Sequence, residues 1–169
     1  MDKGIDIHPA ALGDWVVEYV QASNDLAGIQ RPPSARDIAA HRGLFAVNRL
    51  GVSNLLLFIH HIQPGATLRQ DRQPGKRCGM SAASSDESNE TDLEGLLVAA
   101  QANLISPHET YRLFRALRPF TDGNGRAGRA LWMWQSIRAS SADCDDRTAL
   151  STFAQEAMHD VRVSGPYLN

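Results

Sequence analysis

Residues 106–135, SPHETYRLFRALRPFTDGNGRAGRALWMWQ, constrain the fold more than any other stretch of the chain. Ser106 can cap a helix, Pro107 suits a first helical position, and Glu109 stands where a capping box needs its carboxylate. That helix must end near Pro119, whose ring disfavours helical geometry in the residue before it. Gly123 and Gly125 lack a Cβ and are free to take positive φ, so a tight turn is expected next. A second helix should open around Asn124 and run through the Trp-rich segment. Two helices joined by so short a turn leave apolar faces that further helices must cover.

The rest of the chain supplies them. Residues 8–22 place Leu12, Trp15, Val16, Tyr19 and Val20 at helical spacing. Ser34 is expected to cap a second helix, with Asp37 three residues on. Ser53 is expected to cap a short third one that stops at the turn signal QPG, 63–65. Thr91 and Glu94 read as a capping box for a helix over 91–101. A last helix is expected over 147–162, preceded by Asp143, Asp145 and Asp146. Residues 66–79 are polar and carry the turn Pro74–Gly75, which predicts a short β-hairpin flap; 80–90 read as a small polar linker. The fold class is therefore mainly α, a single domain over 1–169. It divides into N-terminal helices (1–52), a core with the flap (53–140), and a C-terminal helix and tail (141–169). At 169 residues and 43% apolar content it can bury a core without metal or disulfide staples.

Bulk chemistry excludes several classes. A net charge of -2 and a pI near 6.3 argue against a nucleic-acid partner. Two cysteines, Cys78 and Cys144, make no disulfide framework, and no Cys/His spacing suggests zinc. The opening MDKGIDIHPAALGDW has no apolar run, and Leu55 to Ile59 is too short to span a bilayer. A cytoplasmic protein without membrane partners is expected.

The glycine turn carries the chemistry. A turn leading into a helix points several backbone N–H groups at one spot, and the helix dipole adds positive charge there, which favours a phosphate. Arg126 and Arg129, three apart, share one face of the first helical turn and can grip phosphate oxygens. A carboxylate repels a bare anion, so Asp122 makes sense as the holder of a Mg²⁺ that bridges to phosphates. Asn124 can both cap the helix and donate to a phosphate oxygen.

RPFTDGNGRAGR resembles the active-site motif of Fic-domain proteins, HPFx[DE]GNGRxxR, at every fixed position except the first. The likeness extends over 53–135, including the helices on either side and the segment leading to that family's target-positioning flap. It implies a helical Fic-like domain that transfers AMP from ATP to a hydroxyl of a target protein, with Mg²⁺ as cofactor. On that resemblance Asp122 holds the metal. Gly123, Asn124 and Gly125 form the phosphate anion hole, Arg126 and Arg129 grip the outer phosphates, and Phe120 anchors the core. A protein target would dock along the flap, 66–79. The phosphorylating Doc branch has ANKR where this chain has GNGR, which favours the AMP-transfer geometry. The departure is Arg118, which stands where the family has its general-base histidine. Arginine stays protonated and accepts no proton. A nucleotide-binding protein with weak or lost transferase activity is therefore expected; an enzyme with another base or reaction, and a non-catalytic interaction module, remain as alternatives. Many Fic proteins also carry an inhibitory helix, [ST]xxxE[GN]. TFAQEA, residues 152–157, is a partial match that would set Glu156 near Arg129.

Overall fold

The computed structural model describes residues 12–70 and 89–141. These fold into six helices: α1 (Trp15–Leu26), α2 (Ala35–Ala46), α3 (Val52–Ile62), α4 (Asn89–Gln101), α5 (Pro107–Leu117) and α6 (Asn124–Ser141). The protein is mainly α. Among the described residues no strand forms, only an isolated antiparallel bridge between Leu68 and Phe120. Of the hairpin expected over 66–79, residues 71–79 lie outside the described residues, as does the helix expected over 147–162.

α6 is the central helix. Every residue from 126 to 137 is buried, so it meets neighbours on all sides rather than along one stripe. α5 approaches closest. A Cβ at Gly128 would stand 3.2 Å from both Phe114 Cδ1 and Tyr111 Cδ2, so the absence of a side chain there sets the distance between the two helices. α1, α2 and α3 close the other sides around a core that includes Tyr19, Phe45, Phe58, Phe114, Phe120 and Trp134.

The start of each helix tests the capping expectations. Ser34 and Asp37 form a full box: Ser34 Oγ accepts from Asp37 N–H at 3.1 Å and the Asp37 carboxylate accepts from Ser34 N–H at 3.1 Å. α3 starts one residue before Ser53. Gly51 is its cap, because Asn54 Oδ1 reaches back to Gly51 N–H at 2.8 Å. α4 starts at Asn89, so Thr91 and Glu94 sit inside the helix rather than at its cap. Asn89 instead donates Nδ2 to Arg69 O at 3.1 Å, tying the start of α4 to the segment after α3. At α5 half of the box forms. Ser106 Oγ accepts from Glu109 N–H at 3.2 Å, while the Glu109 carboxylate turns forward to Arg112 Nε at 2.8 Å.

The helix C-termini are held from α6. A helix leaves its last carbonyls without partners and carries partial negative charge there. α1 and α2 have no basic residue in their own last turns. Arg129 Nη2 donates to Ser23 O at 2.7 Å, the carbonyl left free because Ala27 N–H turns to Asn24 O, and Arg129 Nε donates to Ser23 Oγ at 2.9 Å. Arg126 Nη1 donates to Ile62 O, the last carbonyl of α3, at 2.8 Å. Arg138 donates to Phe45 O at 3.3 Å and to Val47 O at the end of α2, where Trp134 Nε1 joins it at 2.7 Å. Three arginines of one helix thus cap three others.

His41 lies deep in this packing, 1% exposed, with the Phe58 ring 4.8 Å away and the Tyr19 and Phe45 rings 5.9 Å away. Its Nδ1 is 2.7 Å from Asp37 O; a carbonyl only accepts, so Nδ1 carries the proton, and Nε2 of the neutral ring has no partner among the described residues. Burial, aided by the charges of Arg126 and Arg129, pushes its pKa down from 6.5 to about 4. The folded state holds it neutral, so the stability it contributes is present above its unfolded pKa and is lost as pH falls toward about 4. A shift of this size corresponds to a loss of order 3 kcal/mol across that window. Burial pulls Asp37 upward, but hydrogen bonds from Ser34 and the Arg31 charge hold it on balance below its usual 3.8, so its own loss falls at lower pH. Urea unfolding from pH 7 to pH 4 is expected to show this loss, and His41→Gln to flatten it. An unchanged slope in that variant would assign the acid sensitivity elsewhere.

Candidate functional site

The loop between α5 and α6 is built from both ends. α5 stops because Arg118 turns left-handed, φ 48 and ψ 57, while its N–H still bonds Phe114 O at 3.0 Å. Its side chain is exposed and makes no hydrogen bond or ion pair among the described residues. Phe120 is fully buried, the core anchor expected of it. The segment after α3 lies alongside. Arg69 N–H bonds Pro119 O at 2.8 Å, Thr121 N–H bonds Thr67 O at 2.9 Å, and Arg69 Nε bonds Phe120 O at 2.9 Å. Residues 67–69 therefore run beside the glycine turn.

Asn124 is spent differently from the cap expected of it. Its Oδ1 accepts from Phe120 N–H at 2.9 Å and its Nδ2 donates to Phe120 O at 2.7 Å, so the amide closes the loop on itself. Gly123 is left-handed, φ +76, and a Cβ there would stand 3.1 Å from Ile59 Cδ1. Gly125 is helical, not left-handed, because α6 has already begun. The first helical bond of α6 is Ala127 N–H to Gly123 O at 3.0 Å, and the N–H groups of Asn124, Gly125 and Arg126 have no acceptor among the described residues. They form the positive end of α6.

Asp122 is exposed beside them. Its Oδ1 accepts from Gly123 N–H at 2.6 Å and its Oδ2 from Gln63 Nε2 at 2.7 Å. Each oxygen keeps a further lone pair. No three His, Cys, Asp or Glu converge among the described residues, so no all-protein metal cage exists there. A single exposed carboxylate fits Mg²⁺, which keeps waters and shares substrate phosphates rather than filling its shell with protein ligands.

Arg126 and Arg129 share one face as expected, but that face is internal. They are 5% and 4% exposed, and their guanidinium groups hold the ends of α3 and α1. Burial lowers both from the ordinary arginine range. Glu156 lies outside the described residues. Gln63, Arg69 and Ser23 were missed from the sequence. Gln63 is 59 residues from Asp122, Arg69 is 51 from Phe120, and Ser23 is 106 from Arg129, so no local spacing marks them. An apolar groove of about 280 Å³ between α2 and α3, lined by Gly43, Leu44, Val47, Leu57 and Phe58, includes none of the loop residues.

The chain matches no protein-family model, no curated protein and no solved structure. No helix among the described residues is long and apolar enough to cross a membrane.

Proposed function

We propose that this is a Fic-like protein that binds ATP or a related phosphate ligand with Mg²⁺ at the 122–129 turn. Its protein AMP-transferase activity is weak or lost because Arg118 replaces the proton acceptor. The observation that carries the reading is the open end of α6, three N–H groups with no acceptor among the described residues, in the same loop as exposed Asp122 and exposed Arg118. The N–H groups suit a phosphate oxygen, and Arg118 adds a permanent cation to the same loop. Mg²⁺, held by Asp122 when bound, would neutralise phosphate charge. The main chain at Thr67 to Arg69, already paired with the loop, would lead a protein target toward it along the flap.

A second reading has its own support. Arg126 and Arg129 already hold buried helix ends, as they would in a non-catalytic interaction module that uses the turn only as a hinge between helices. Calorimetry with ATP, ADP and a cytidine diphosphate ligand, each with and without Mg²⁺, separates the two. Magnesium-dependent binding is expected, weakened by Asp122→Asn. No binding of any of them would leave the interaction module.

A further inference from the structure

Gln63 stands between the two opposite charges of the turn. Its Nε2 donates to Asp122 Oδ2 at 2.7 Å, and its Oε1 accepts from Arg126 Nη2. Chemistry fixes this orientation, because a carboxylate only accepts and a guanidinium only donates. The flipped amide would set oxygen against oxygen and N–H against N–H. Asp122 lies two residues before α6 and Arg126 lies in its first turn, and the one amide of Gln63 touches both, so the two charges are neighbours. No ion pair joins them among the described residues. Arg126 instead takes the amide oxygen of Gln63 and the carbonyl of the residue before it, Ile62.

We infer that Gln63 is a positioning residue that holds the Asp122 carboxylate off the buried Arg126 guanidinium, so that the carboxylate stays exposed and open to the metal of a magnesium-bound phosphate. This rests on the phosphate reading above. An amide of this length meets both demands. Glu has no hydrogen for Asp122, Met has neither donor nor a strong acceptor, and Lys would repel Arg126. Without the amide, Asp122 closes onto Arg126, and its carboxylate is lost to the metal.

The probe is inorganic pyrophosphate, measured by calorimetry. Gln63→Met is expected to bind magnesium pyrophosphate about tenfold or more weaker than the wild type, the size of one lost charge-assisted contact. Adding Asp122→Asn to Gln63→Met is expected to cost little further affinity, so that the double variant binds magnesium pyrophosphate as Asp122→Asn alone does, since in Gln63→Met the carboxylate is already withdrawn from the metal. A purely structural role for Gln63 would add its own loss to that of Asp122→Asn. Wild-type affinity in Gln63→Met, or additive losses in the double variant, overturns the inference. If the wild type binds no pyrophosphate, the phosphate reading fails by itself and urea unfolding of the free protein decides about Gln63. Asp122→Asn should then destabilise Gln63→Met more than it destabilises the wild type, because only the variant has the Asp122–Arg126 pair; equal effects in both overturn the inference.

Discussion

Arg118→His is expected, on the proposed reading, to raise AMP transfer by a factor of about 10²–10⁴, the usual worth of a positioned general base. The residue ends α5 and opens onto the turn, where a proton acceptor has to stand on the proposed reading. A guanidinium never serves there, whereas an imidazole titrates near neutral pH. His108 offers no substitute from the same helix, since ten residues at ~1.5 Å each put it about 15 Å away. The backbone tolerates the change. Arg118 is left-handed, a conformation that costs an ordinary residue roughly 1–2 kcal/mol and in which histidine is comparatively common. Arg118→Gly is the control. It relieves the same strain and should raise stability by about 1 kcal/mol while adding no base. Auto-modification with radiolabelled ATP should appear in Arg118→His and stay absent from the parent and from Arg118→Gly. Equal transfer by the parent would put the base elsewhere.

The largest loss of stability is expected from Arg129→Ala, about 2–4 kcal/mol. Removing the guanidinium leaves Ser23 O buried without a partner, which costs about 1–3 kcal/mol, and takes a cation from the end of α1, worth up to about 2 kcal/mol when buried. Arg138→Ala should cost less, because Trp134 Nε1 still holds Val47 O. Arg129→Lys should recover part of the loss by keeping the charge without the two-pronged geometry. Urea unfolding midpoints read all three. A loss below about 0.5 kcal/mol in Arg129→Ala, the scatter of ordinary surface substitutions, would mean that the bonds to Ser23 contribute nothing. The same variants measured with ligand would show whether a phosphate competes for these arginines, because binding at Arg129 would have to draw it away from Ser23.

Local signals in the sequence determined where helices stop and start. Ser34 with Asp37, Ser106 with Pro107, and Pro119 after Arg118 each act within four residues, so hydrogen-bond chemistry and ring sterics settle them without the rest of the chain. The same holds for the site's outline, since a carboxylate, a left-handed glycine and a helix start at Asp122, Gly123 and Asn124 follow from consecutive residues. Where two local signals competed, spacing alone did not decide. Asn54 reaching back to Gly51 displaced Ser53 as a cap, and Asn89, held by Arg69, began α4 before Thr91. Only the tertiary structure decided what Arg126 and Arg129 face. Their helical spacing puts them on one side of α6, but it does not say whether that side meets solvent or the carbonyl ends of α1 and α3. The partners come from residues 64 and 106 positions away. Burial of a guanidinium is tolerable only where such acceptors converge, and that convergence is a property of how the helices pack.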